Sequence, residues 1–446
     1  MTFLTITCLI TALPALFPLY RMIRKKELNM FDFLILFSTL HFCISPIKEG
    51  KLVHFSDLGI MREFIFYALY IFSILFVDII CHRRYERSIS IINLTQYLQR
   101  FSEIKIDIYG RVLIGLCLFT MLTYYLPHAS IVAAVENTNI SYEESSLTMA
   151  LGNVIKVVGS FLFLDFSYNL KRKETNKINV FFLCLYILIL LFFPRREFLS
   201  GLLQLLLTMY SINRSFFTLK KVVIMGCCAS FLWLVYFPFY NVIRWNPVRF
   251  DSNHPVESLT QIVEYGIDNF SQNSKEQLES SEQRSLGLYQ AVYMLSNRNI
   301  SLGYGEISLA SVDIAIPKVL NPNKGNGSEP ILENMTGAHV DIADSLMLLS
   351  YGDFGIVGGL YCCFLYTFVL LSYNRYAMFF KKKLSSASVP VFILFTMFDY
   401  LWNVEGKLES YLSWFFGSIF TILIILFLEK NNVIRILKKS NICNDK

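Results

Sequence analysis

Five arginines stand beside long apolar runs in this chain: Arg195 and Arg196 in "FFPRREFLSG", Arg244 and Arg249 in "NVIRWNPVRF", and Arg284 in "SEQRSLGLYQ". Arginine at a membrane boundary is costly and usually answers to an anion or a carboxylate. Its planar fork offers parallel donors that match phosphate oxygens better than a point charge does. Several forks near one surface suit a diphosphate. A second set of residues could move a proton. His339, Asp341 and Asp344 fall together in "HVDIADSLMLL", just before an apolar run. An imidazole or carboxylate there could activate an attacking hydroxyl while arginines stabilise a departing phosphate. Both sets also have plainer readings. Arg195 and Arg196 could be a helix-end pair that snorkels to the interface, with Glu197 as counter-ion. Asp344 could be only an N-cap and dipole partner for its helix.

The elements that carry these residues are membrane helices. The chain has 446 residues, 54% hydrophobic and 17% charged. A soluble domain carries about 25% charged residues. The apolar residues come in long blocks, at about 2–20, 30–46, 63–80, 112–126, 148–170, 180–194, 198–212, 222–240, 344–373, 388–404 and 410–428. This pattern predicts an all-α polytopic membrane protein with about eleven transmembrane helices. Alternating strands of the kind a membrane β-barrel needs are absent from the pattern. The first block has basic residues after it and none before it, the reverse of a cleavable signal peptide, so it reads as a retained helix.

Charge orients the helices. The segments 21–29, 81–111, 171–179, 213–221, 374–387 and 429–446 hold 26 of the 40 Lys and Arg residues. The alternate segments, 47–62, 127–147, 195–197, 241–343 and 405–409, hold 13. Positive loops stay in the cytoplasm. The N-terminus is therefore expected outside and the C-terminus inside. The net charge of +6 follows from orientation and implies no nucleic-acid partner. The expected layout is helices 1–8 in 1–240, a large outer loop in 241–343, helices 9–11 in 344–428 and a cytoplasmic tail in 429–446. The outer loop carries two stretches, "LTQIVEYGI" and "LGLYQAVYML", that read as short amphipathic helices on the membrane face. Segment 81–111 reads as an interfacial helix with a basic anchor. Asp78, Lys156, Asp165 and Asp399 are the charges inside the apolar blocks that draw notice.

Other chemistries leave no pattern. The cysteines lie mostly in apolar blocks and suggest neither a disulfide framework nor a zinc site. Asp341 and Asp344 stand three apart, with no histidine or third carboxylate at ligand spacing, so neither a metal nor a cofactor is expected. There is no phosphate-cradling glycine loop of the ATP-binding type. Gly352, Gly355, Gly358 and Gly359 in "YGDFGIVGG" have the spacing of close helix packing.

Three stretches occur in a telling order: "PRREFLSGLLQLLL", then "QRSLGLYQAVYMLSNRNISLGYG", then "HVDIADSLMLLSYGDFGIVGG". Together they resemble the O-antigen polymerase and ligase superfamily, and within it the oligosaccharide repeat-unit polymerases. The resemblance covers about residues 180–373. It implies a glycosyltransferase of the GT-C-like membrane type, working without metal or cofactor on the periplasmic side of the bacterial inner membrane. The substrate would be an undecaprenyl-diphosphate-linked oligosaccharide, with a chain-length regulator and a flippase as candidate partners. Arg195 or Arg196 would take the place of the family's helix-start arginine, and Arg284 that of its loop arginine. Arg244, Arg249 and Tyr289 would complete the diphosphate- and glycan-binding surface. Asp344, then His339 and Asp341, would be candidates for the base. Relatives often have Ser-Arg-Gly where this chain has Arg195-Arg196-Glu197. Ligase-like relatives carry a His-Asn pair eleven residues before the first glycine of Gly-x-x-Gly, whereas His339 stands thirteen before Gly352. That departure favours the polymerase over its alternative, an O-antigen ligase acting on lipid A core. A lipid-linked oligosaccharide flippase is the alternative from another class.

Overall fold

In the computed structural model, residues 3–25, 27–49, 55–85, 91–125, 142–174, 176–191, 195–232, 236, 254–268, 287–297, 301–317, 320–325, 327–337, 345–404 and 406–438 are described. The chain divides into two compact units. The first comprises Met1–Tyr97 and Ser281–Phe420, the second Leu98–Ser280 and Thr421–Lys446. In chain order the helices used below are α1 (Phe3–Ala12), α2 (Met30–Thr39), α3 (Asp57–Tyr85), α4 (Ile108–Thr120), α5 (Tyr142–Arg172), α6 (Lys177–Leu190), α7 (Arg195–Ile212), α8 (Leu219–Phe231) and α9 (Pro255–Asp268). They continue with α10 (Gly287–Asn297), α11 (Glu306–Ala315), α12 (Glu329–Thr336), α13 (Leu346–Phe354), α14 (Gly358–Lys383), α15 (Ser388–Trp402) and α16 (Leu408–Lys430). Two short strands, β1 (Phe101–Ile106) and β2 (Ile434–Lys438), pair antiparallel.

Among the described residues, five helical runs are long and apolar enough to cross a membrane: Phe3–Lys25, Met30–Ile47, Asp57–Cys81, Leu346–Lys383 and Leu408–Lys430. Four more of the expected blocks form shorter apolar helices, at Ile108–Thr123, Lys177–Leu190, Glu197–Ile212 and Ser388–Trp402. The 15 residues of α15 rise only about 22 Å at 1.5 Å each, less than the roughly 30 Å hydrocarbon core.

Three features differ from expectation. Segment 81–111 is not simply an interfacial helix with a basic anchor, because its residues Phe101–Ile106 form β1, paired antiparallel with Ile434–Lys438. The predicted single helix at 344–373 is broken. Gly355 adopts a φ of 58°, and a 3-10 turn over Gly355–Val357 separates α13 from α14. That φ is one L side chains rarely adopt. Finally, "LGLYQAVYML" forms α10, but its residues Leu288, Tyr289, Val292 and Leu295 are buried in the first unit rather than lying on a membrane surface.

The glycines that follow the break do serve packing. A Cβ on Gly359 would sit 2.2 Å from the Phe66 carbonyl oxygen of α3, and one on Gly358 would sit 2.0 Å from the Ser350 oxygen. Further along, Tyr373 of α14 stacks on Trp414 of α16 with ring centroids 4.6 Å apart. The Tyr373 hydroxyl donates to the Tyr411 carbonyl oxygen at 3.1 Å.

Contacts within each unit also test the charge alternation. In the first unit, Asn29 bridges to Asn93 and Ser345 to Lys407. Ser56 meets Asn297. In the second unit, β1 meets β2. Each of these contacts joins two segments that alternation assigns to the same face.

Candidate functional site

The segment that holds Arg284 and the segment that holds Asp344 both lead into helices of one cluster in the first unit. α10, α11 and α12 each pack on α13, and α10 packs on α12 and on α3 as well. The docking of α10 is polar and specific. The Ser56 N–H donates to the Tyr293 hydroxyl at 2.5 Å. The Ser56 hydroxyl donates to Asn297 Oδ1 at 2.6 Å, and Arg62 Nη1 to the Ser296 carbonyl at 2.9 Å. Gly59 admits this approach, since a Cβ there would lie 2.6 Å from the Tyr293 ring.

α11 is fixed by one carboxylate. Asp353, fully buried in α13, accepts from the Ile307 N–H at 3.1 Å, the Ser308 N–H at 3.0 Å and the Ser308 hydroxyl at 2.5 Å. It therefore caps the N-terminus of α11, where free N–H groups and the helix dipole favour an anion. The Gly303 N–H donates to the Gly352 carbonyl, and the Tyr361 hydroxyl to Ser308 Oγ. The "GYG" of the loop and the "YGD" of the membrane helix thus meet directly, and Gly352 lets Ile307 and Leu332 close over it.

The start of α13 is capped by Ser345, whose Oγ accepts from the Leu348 N–H at 3.2 Å. The N-cap position is therefore filled by Ser345; Asp344, the residue before it, lies outside the described residues. Ser345 also bridges to Lys407, whose ammonium pairs with Glu329 of α12 at 2.8 Å. Upstream, α12 ends on Gly337 with a φ of 66°, a left-handed C-cap. His339, Asp341 and Asp344, between Gly337 and Ser345, lie outside the described residues.

Of the other expected site residues, Arg244, Arg249 and Arg284 also lie outside them. Arg195 and Arg196 are the first two residues of α7, in the second unit. Glu197, the counter-ion expected for that pair, lies 3.5 Å from Lys156 Nζ of α5. Tyr289 is buried, edge-on to Phe42 and Phe55. Its hydroxyl is held well above the usual tyrosine range by burial first and by the Glu63 carboxylate second.

Sequence reading overlooked three acids inside the apolar blocks, Asp353, Glu63 and Asp32. Asp78, noted there as an intrablock charge, joins Arg21 and Asp32 in one group. Arg21 pairs with Asp78 and lies 3.3 Å from Asp32, while Asn29 Nδ2 donates to Asp78 at 2.8 Å. Asp32 and Asn29 form a capping box at the start of α2. Among the described residues no three His, Cys, Asp or Glu side chains could hold a metal together. No family model, no curated protein and no solved structure matches this chain.

Proposed function

We propose that this chain is a glycosyltransferase of a bacterial inner membrane, with its N-terminus in the periplasm, its C-terminus in the cytoplasm and eleven crossings. It would polymerise undecaprenyl-diphosphate-linked oligosaccharide repeat units on the periplasmic side. The observation that carries this reading is the α10–α13 cluster. The loop arginine and the candidate base, 60 positions apart in the chain, each adjoin a helix of one interlocked assembly. Catalysis of this kind needs charge and base brought to one place, and a rigid neighbouring cluster supports that reading.

In the proposed reaction, an acceptor hydroxyl on a new lipid-linked repeat unit attacks the anomeric carbon of the growing glycan. The bond between that carbon and the diphosphate oxygen breaks as the new glycosidic bond forms. Arg284 and the Arg195–Arg196 pair hold the departing undecaprenyl diphosphate through bidentate hydrogen bonds. Arg244, Arg249 and Tyr289 border the glycan. Asp344, or failing it His339 or Asp341, receives the hydroxyl proton. No metal or cofactor enters this scheme. The spacing of His339 to Gly352 supports a polymerase over a ligase.

The test is the lipopolysaccharide ladder of a strain that depends on this chain. Arg284→Lys keeps the charge and loses the fork. The ladder should collapse toward a single repeat, by about 10²-fold or more in polymer, the scale of losing one transition-state donor, while protein level stays normal. A wild-type ladder would remove Arg284 from the diphosphate site.

One observation favours a second reading, transport of a lipid-linked oligosaccharide. Glu63, Arg21, Asp32 and Asp78 are charged and buried within membrane-length helices, where such residues often mark transport pathways. A flippase would leave lipid-linked units on the cytoplasmic side when deleted, whereas loss of a polymerase leaves single repeats outside.

A further inference from the structure

Glu63 lies in the first part of α3 and is 2% exposed. Its hydrogen-bonding neighbour among the described residues is the Tyr289 hydroxyl, whose approach falls short of ordinary hydrogen-bond geometry. It borders a small cavity between α1, α3, α10 and Phe42, of about 10 Å³, close to the space one water or one small ion fills. Thr7 and Thr11 of α1 line it from one side, and Tyr289 of α10 from another. Thr7 and Thr11 are one helical turn apart and share a face.

The threonine protons are already engaged. The Thr7 hydroxyl donates to the Leu4 carbonyl at 2.9 Å, and the Thr11 hydroxyl donates to the Thr7 carbonyl at 2.9 Å. What the two threonines can offer the cavity is oxygen lone pairs, while the Tyr289 hydroxyl stands beside Glu63. The titratable groups around Glu63 are the thiols of Cys8 and Cys43 and the hydroxyls of Tyr67, Tyr289 and Tyr351. None supplies a positive charge. Arg62, the preceding residue, directs a donor to the Ser296 carbonyl. A buried carboxylate without a positive partner is too costly to persist as such.

We propose that this pocket binds one small monovalent cation, sodium or a proton, between Glu63 and the hydroxyl oxygens of Thr7, Thr11 and Tyr289. The site does not depend on the glycosyltransferase reading. Occupancy couples α1 and α3 to α10 through Tyr289, and α10 begins three residues after Arg284.

The purified full chain in lipid nanodiscs tests this by its Tm, with choline replacing sodium at constant ionic strength, at mildly acidic and mildly alkaline pH. A ligand that binds only the folded state raises Tm with its concentration. If sodium is the ligand, it raises the wild-type Tm at alkaline pH by several degrees, and less at acidic pH, where protons compete. If a proton is the ligand, acidification raises the Tm whatever the sodium content. Either response should vanish in Glu63→Gln. Equal responses of wild type and Glu63→Gln, or no response of the wild type to either cation, would overturn the site. Should Glu63→Gln give no folded protein, Tyr289→Phe decides. It keeps the ring and removes one oxygen, so a half-saturating concentration raised several-fold supports the site and an unchanged one overturns it.

Discussion

Asp353 and Glu63 are two carboxylates buried in the same unit, and their surroundings are opposite. Asp353 accepts three hydrogen bonds from the first turn of α11. Glu63 has no such donors in ordinary geometry and borders a cavity. A buried charge whose lone pairs are filled by fixed donors is a structural joint. A buried charge left open beside a cavity awaits something mobile. The difference separates a part of the first unit that must not move from a part that can respond to its surroundings. The Arg21, Asp32 and Asp78 group belongs with Asp353, because its charges are met by one another and by Asn29.

Substitutions should reproduce this contrast. Asp353→Ala should have the largest effect. It leaves two buried N–H groups and one hydroxyl without their acceptor, at about 1–3 kcal/mol for each buried group. Folded yield should fall sharply, and limited proteolysis should cut within 301–308. A normal yield with protease resistance would mean that the joint is not needed. Glu63→Gln should be far milder in sodium-free buffer at alkaline pH. It removes an unmet charge, so Tm should change by no more than about 1 kcal/mol would produce, or rise. A collapse as deep as that of Asp353→Ala would show that the contrast is wrong. Lys407→Met should matter least. The Lys407–Glu329 pair is about one-third exposed on both sides, and such pairs contribute about 0.2–1 kcal/mol. Tm should barely shift, and a large fall would assign the Ser345–Lys407 bridge more weight than its ion pair explains.

Much of this was written plainly in the sequence. Basic residues sorted the loops into two faces, and contacts such as β1 with β2 and Ser345 with Lys407 respect that sorting. The glycines of "YGDFGIVGG" announced close packing, and Gly358 and Gly359 provide it. The strand pairing was not legible: "FSEIKI" is interrupted by an irregularity between Phe101 and Glu103 and pairs with a segment far along the chain, so its basic residue reads as part of an anchor. Glu63, Asp32 and Asp353 were harder to see. Each sits near the end of an apolar block or beside a break, where a lone acid resembles an ordinary cap. Only three-dimensional packing reveals that Asp353 is saturated and Glu63 is not. The N-cap of α13 falls on Ser345; Asp344 and Ser345 are both good capping types, and a sequence does not say where the first helical turn starts.

Since Ser345 supplies that cap, Asp344→Asn changes chemistry without removing the helix N-terminus. The most direct measurement is therefore transfer by the purified chain on synthetic undecaprenyl-diphosphate-linked repeat units, wild type against Asp344→Asn. The wild type should extend these units into polymer without added metal or nucleotide. Asp344→Asn should fold normally and transfer about 10²–10⁴-fold more slowly, the contribution of a positioned general base. A wild-type chain that forms no polymer yet moves the lipid-linked unit across a vesicle membrane would contradict the polymerase reading and leave transport in its place.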